Sequence, residues 1–247
     1  MRSRFVYDFR SLTLWRVLTV WAALMGLVTT SLAETPEDPF EARVQAYLLN
    51  NPEIILEALE ILSTREARAT MVAKINQHSD LFSEPSVLGI GPEDAPFRVV
   101  EYFDYRCAPC KALHLKLKRA LEPHPEIRVE MRQLPILSPG SERAARFALA
   151  VKNIAGSEAY VAAHEALWHL KGPLRASAFE QIALQNDLDW VTVKTEMASV
   201  AVSSRIEQNR DIAIDLEILG TPAFVTPTSV GFGGTDAVAL VAEWLSQ

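Results

Sequence analysis

The sequence predicts an α/β fold with a large helical insertion, preceded by a separate helical segment, and three observations carry that prediction. Phe97 to Phe103 is a buried-strand run that leads at once into a helical pattern from about Ala108 to Leu121. Ile127 to Leu134 then alternates, with Ile127, Val129 and Met131 against Arg128, Glu130 and Arg132, as a second strand does. Strand, helix and strand in this order make a right-handed parallel unit. Finally, Ser138 to about Leu219 is almost wholly helical in pattern before Gly220-Thr221-Pro222 opens a short strand over Ala223 to Val225.

Residues 1–33 stand apart. Arg2, Arg4, Arg10 and Arg16 precede an uncharged run, Val17 to Ala33, that ends in Ser31-Leu32-Ala33 with small residues where a cleavage site needs them. A cleaved secretory signal is expected; the alternative is an uncleaved anchor, for which this run has the minimum spanning length. Either way the remainder is exported. Glu34 to Pro39 is an acidic linker, and residues 34–84 form an N-terminal helical segment. Its first helix covers Phe40 to Leu49; Asn51 as N-cap, Pro52 at the first helical position and Glu53 begin a second that runs to Gln77. Ile54, Ile55, Leu56, Leu59, Ile61 and Leu62 cover more than one face of this helix. Either the main domain or further copies of the same helix would bury them. Asp80 to Pro96, with Pro85, Gly89, Gly91, Pro92 and Pro96, carries the punctuation of a linker, and the main domain is placed at 85–247. Inside the insertion, about 138–219, Ser141 and Ser157 each open a helix, and Ala176 and Leu188 begin others. Val230 to Phe232 pairs with the strand at Ala223, and Asp236 to Leu245 is a closing amphipathic helix.

A chain of 247 residues can bury one sizeable core and an accessory element. With 49% apolar and 22% charged residues it has a globular rather than a disordered balance. The net charge is −7 from 24 basic and 31 acidic residues; removing 1–33 takes away four Arg and one Asp and leaves −10. Such a surface argues against nucleic acid and anionic membranes as partners.

The two cysteines of the whole chain are Cys107 and Cys110, in Cys-Ala-Pro-Cys at the start of the first long helix of the main domain. A thiol there faces unpaired backbone N–H groups and the positive end of the helix dipole, so its thiolate is favoured and Cys107 is the expected nucleophile. Cys110, one turn on, can attack a mixed disulfide formed at Cys107 and release the partner. Half of a zinc site would need a second Cys or His pair, and His78, His114, His124, His164 and His169 show no such pattern. A structural staple across two residues would remove little unfolded-state entropy. A redox-active pair fits best.

Val99-Val-Glu-Tyr-Phe-Asp-Tyr-Arg-Cys-Ala-Pro-Cys-Lys111, the run Leu134-Pro-Ile-Leu-Ser-Pro-Gly-Ser-Glu-Arg-Ala-Ala145 and Gly220-Thr-Pro-Ala-Phe224 together resemble the DsbA superfamily of bacterial exported thiol–disulfide oxidoreductases. Within it the chain looks most similar to the Com1-like and copper-sensitivity-suppressor (ScsC-like) branch, whose N-terminal segment resembles Ala46 to Leu59. The resemblance implies a thioredoxin-like fold and a periplasmic protein-disulfide oxidoreductase or isomerase without a bound cofactor or metal. It also implies exported cysteine-containing proteins as substrates and a membrane redox partner that resets the pair. Thr221-Pro222 matches the family's cis-proline loop, which offers backbone groups to a substrate; a trans turn proline is the alternative. Glu101 matches a buried acid that exchanges the proton of Cys110, the alternative being a solvent-facing strand residue. Ala108-Pro109 lacks the histidine of strongly oxidising relatives, and Thr221 resembles reductase or isomerase members. A soft-metal module holding Cu(I) on the same two sulfurs is the competing function. Residues 40–77 are expected to associate with copies of themselves.

Overall fold

Strand β2 (Phe97–Phe103) is buried on both faces, and the rest of the fold follows from what covers each. The computed structural model describes residues 39–83, 87–234 and 236–246. The expected signal segment, residues 1–33, lies outside the described residues, and so does Pro85. The chain divides into two compact units, one ending at Ile61 and the other beginning at Leu62.

In the first unit, α1 (Pro39–Asn50) has no buried residue, and α2 (Glu53–Gln77) buries only Ile75, which belongs to the second unit. Phe40, Tyr47, Leu49, Leu56 and Leu59 are all exposed. Asn51 was expected to cap the start of α2. Its side-chain amide instead donates to the Tyr47 carbonyl at 2.8 Å and caps the end of α1, where unpaired carbonyls need donors.

In the second unit five strands run in the order β1-β3-β2-β4-β5 (β1 Gly89–Ile90, β3 Ile127–Gln133, β4 Ala223–Val225, β5 Val230–Phe232). β2 and β3 are parallel, joined through α4 (Ala108–Leu121); the other pairs are antiparallel. Val99 and Phe103 of β2, with Met131 and Phe224, face a core that includes α4, the insertion and α9 (Ala237–Leu245). Val100 and Tyr102 face the other way, against Ile75 of α2, Leu81 of α3 (Asp80–Ser83) and Ile212 and Ala213 of α8 (Val200–Asp215). Lys74 and His78 tie the same stretch to Glu217 and Asp215, both at 2.8 Å.

The described residues of the stretch from Asp80 to Pro96, expected to be a linker, therefore belong to the domain: they include α3 and β1, and Leu81 and Leu88 are buried. Its glycines mark close approach rather than detachment. Gly91 has φ +100, and a Cβ there would lie 2.4 Å from the Ile127 carbonyl.

The insertion consists of α5 (Pro139–His169), α6 (Ala176–Gln185), α7 (Trp190–Glu196) and α8. The two helices expected from Ser141 and Ser157 both lie within α5: Ser138 caps the first, and Gly156, with the non-helical φ +81 and ψ −165, separates it from the second. Among the described residues no helix is long and apolar enough to cross a membrane.

Candidate active site

The end of β2, the start of α4 and the loop before β4 meet at the two cysteines. Cys107 is the N-cap of α4, with extended φ/ψ, and Pro109 sits in the first turn where its missing N–H costs nothing. Cys107 and Cys110 form a disulfide with their Cα atoms 5.2 Å apart. The Cys110 backbone N–H donates to Cys107 Sγ at 3.1 Å, which gives that sulfur the helix-terminus donor expected to favour its thiolate. Cys110 is fully buried and Cys107 is 2% exposed.

The Thr221–Pro222 peptide is cis, and the Thr221 carbonyl oxygen lies 3.3 Å from Cys107 Sγ, a position at which the reduced thiol can donate a hydrogen bond. Thr221 Oγ1 is buried and without a partner among the described residues. Cys107, Cys110, Thr221 and Pro222 thus come together.

Glu101 is placed on the same sheet face. Its register partners, Met131 on β3 and Phe224 on β4, both belong to the core cluster that contains the cysteines. It is fully buried, neither carboxylate oxygen has a partner among the described residues, and burial pushes its pKa up from 4.5 to about 8. The solvent-facing alternative is excluded.

Several residues that the sequence left without a role shape this site. Asp104 is buried and accepts from the backbone N–H groups of Arg106 (2.7 Å), Ile136 (3.0 Å) and Leu137 (3.0 Å), tying the loop before Cys107 to the loop after β3. Ile136 and Leu137, on the loop that Asp104 holds, and Leu219, two residues before Thr221, are exposed apolar residues. Behind Cys107 the Tyr105 hydroxyl lies 2.9 Å from His164 Nδ1, while the Trp168 indole N–H donates to His164 Nε2 at 2.6 Å. An indole N–H only donates, so Nε2 must be the acceptor and Nδ1 carries the proton. Burial, aided by His114 nearby, lowers the His164 pKa to about 3 and keeps the ring neutral. The helical spacing of His164 and Trp168, four residues apart on α5, was the one sequence signal for this cluster. Among the described residues no group of three or more His, Cys, Asp and Glu side chains is arranged to hold a metal ion.

A disulfide at the N-terminus of the helix in a parallel strand–helix–strand unit, with a cis-proline loop against it, defines the thioredoxin class of fold. The chain belongs to the DSBA-like thioredoxin domain family, which matches residues 98–245. Residues 37–69 match a second description, the copper resistance protein ScsC N-terminal domain. Among solved structures, the thiol-disulfide exchange protein alpha-DsbA2 from Wolbachia pipientis is 27% identical with a TM-score of 0.62, covering 73% of this chain and 97% of that one. ScsC from Proteus mirabilis in a transitional conformation is 27% identical with a TM-score of 0.59, covering 87% and 99%. A periplasmic thioredoxin-like protein from Salmonella enterica serovar Typhimurium is 25% identical with a TM-score of 0.58, covering 69% and 96%. Two curated relatives are much longer. The chain is 30% identical over 158 residues to the Na(+)/H(+) antiporter NhaA 3 of Salinispora tropica and spans 24% of its length; it spans 20% of NhaA 1 of Salinispora arenicola.

Proposed function

We propose that the protein is an exported thiol–disulfide exchange enzyme that acts on cysteines of other polypeptides in the periplasm. One observation carries this reading: Cys107 Sγ sits between the Cys110 N–H at 3.1 Å and the Thr221 carbonyl at 3.3 Å, at a helix N-terminus and beside cis-Pro222. Likeness to a thiol-disulfide exchange protein and to a periplasmic thioredoxin-like protein supports it.

In this reading a client thiolate attacks Cys107 Sγ, Cys110 leaves as a thiolate, and the client is held as a mixed disulfide. A second client thiolate then releases an oxidised client, or Cys110 returns and reverses the step. Cys107 is 2% exposed in the oxidised form, so attack requires its surroundings to yield to the client, and the exposed apolar side chains of Ile136, Leu137 and Leu219 suit an unfolded chain. Glu101 serves as the buried proton acceptor and donor for Cys110, and Thr221 and Pro222 align the client backbone. A membrane redox partner resets the pair. Residues 1–33 direct export, and the exposed apolar residues of residues 40–77 join several copies through self-association.

With a scrambled or reduced protein substrate, Cys107→Ser abolishes turnover and Cys110→Ser accumulates mixed disulfides that run as covalent adducts on non-reducing gels. Full activity of Cys107→Ser would sink the proposal. The reduction potential of the pair then separates oxidase from reductase or isomerase. The description matched by residues 37–69 names copper resistance, which keeps Cu(I) binding as a second reading. Titration of the reduced protein with Cu(I) tests it, because a carrier binds stoichiometrically and tightly without any client.

A further inference from the structure

Whenever the disulfide opens or closes, Cys110 must exchange a proton with water, yet Cys110 and Glu101 are both fully buried. Glu101 offers no hydrogen-bonded way out, since neither oxygen has a partner among the described residues. His114 does. It lies four residues after Cys110 on α4, and side chains so spaced are neighbours, about 5–6 Å apart at Cβ. Helical side chains also lean back toward the N-terminus, which carries the His114 ring toward the cysteine turn.

Its two nitrogens face different surroundings. Nε2 is 3.4 Å from Glu165 Oε1, on a side chain 42% exposed. An ionised carboxylate only accepts, so Nε2 carries the proton and Nδ1 is left as a bare acceptor. Nδ1 is buried and has no partner among the described residues. The ring also lines a cavity of about 350 Å³ whose wall includes the exposed Gly91 and Glu122, so water reaches its outer side. His164 cannot substitute, because Trp168 and Tyr105 occupy both of its nitrogens.

We infer that His114 is the proton relay between Cys110 and solvent, an inference that rests on the exchange reading above. As a mixed disulfide on Cys107 resolves, the Cys110 S–H bond breaks and its proton passes to His114 Nδ1, while the Nε2 proton passes to Glu165. The Cys110 sulfur bonds to Cys107 Sγ, and the client leaves as a thiolate with the electron pair of the broken S–S bond. Glu101 exchanges a proton with Cys110 inside the domain, as proposed above, and His114 is the second acceptor, the one that connects the interior to water. The ring is neutral at rest, ready to accept: burial lowers its pKa, with Lys118 on its own helix and His169 on α5 acting the same way and Glu165 opposing.

The test is single-turnover resolution of a Cys107 mixed disulfide with a cysteine peptide, followed by stopped flow from pH 5 to 9. His114→Gln slows resolution about tenfold, less than the loss of a sole acid–base group because Glu101 remains, and flattens its pH profile, while the ultraviolet thiolate titration of Cys107 stays where it is. In His114→Ala, added imidazole restores the rate. Glu165→Gln, at a half-exposed position that leaves folding intact, slows the step about threefold by removing the exit. Wild-type rate and profile in both His114→Gln and Glu165→Gln overturn the inference, as does slowing with an unchanged profile and no imidazole rescue. Should the His114 variants not fold, the Glu165→Gln rate decides alone. A wild-type protein that exchanges no disulfides defeats the function proposal instead, so the two failures are distinguishable.

Discussion

A single carboxyl, Glu101, sets a pH signature for the whole domain. Its folded pKa is raised from 4.5 to about 8, so between those values the folded chain holds a proton that the unfolded chain has lost, and stability falls as pH rises. His164 works the other way. Its folded pKa is lowered from 6.5 to about 3, so the unfolded chain gains the proton first and stability falls as pH drops through that range. Each slope is about 1.4 kcal/mol per pH unit. They oppose one another from pH 4.5 to 6.5, and Glu101 acts alone from 6.5 to about 8. Glu101→Gln is therefore expected to melt higher than wild type by a margin that grows from pH 5 to pH 8; a constant margin across that range in scanning calorimetry would contradict the buried-acid account. Asp104 carries stability of another kind. Asp104→Ala leaves three backbone N–H groups without their acceptor, and hydrogen bonds to a charged group are worth enough that about 3 kcal/mol is expected to be lost in urea denaturation.

At the scale of elements, β2, α4 and β3 were legible because each is long enough to show its own periodicity, and because an N-cap thiol followed by Pro109 marks a helix start within four residues. What was not legible depends on partners distant in sequence. β1 has two residues and exists only through its pairing with Glu130 and Val129, so no pattern in Gly89-Ile90 announces it. Glycine and proline around it signalled a change of direction, and a change of direction also occurs inside a domain. Asp104 was likewise hidden, since the loop it holds lies 32 residues away. Gly156 is the reverse case: the break between two helices was readable because a glycine directly before Ser157 is a local signal, and the backbone at Gly156 is indeed non-helical. With open space around the missing Cβ, Gly156→Ala meets no clash, but φ +81 with ψ −165 is backbone that only glycine adopts readily, so a loss of about 2 kcal/mol in chemical denaturation is expected.

For the whole molecule, the division at Ile61 and Leu62 falls inside α2 rather than between helices. Deleting residues through Ile61 is expected to leave the melting temperature of the remainder within a few degrees, while deletion through Ser83 also strips Ile75 and Leu81 from the sheet face opposite the cysteines. Both side chains are buried, and removing them costs at least about 3 kcal/mol. Light scattering of the same pair of variants tests self-association: a full-length protein that scatters as a monomer well above micromolar concentration refutes it, and a shorter form that remains an oligomer moves the interface elsewhere.

The sheet ends on one side in β1, two residues long, and on the other in β5, three residues long. Under the proposed function the clients are unfolded chains with unpaired strands, and long open edges are templates on which strands add and aggregate. Here neither edge offers enough consecutive backbone groups to seed a ladder. If the proposed function holds, a client is gripped through one sulfur and the short backbone at Thr221 and then let go, and the short edges keep the protein from becoming the nucleus on which misfolded chains precipitate.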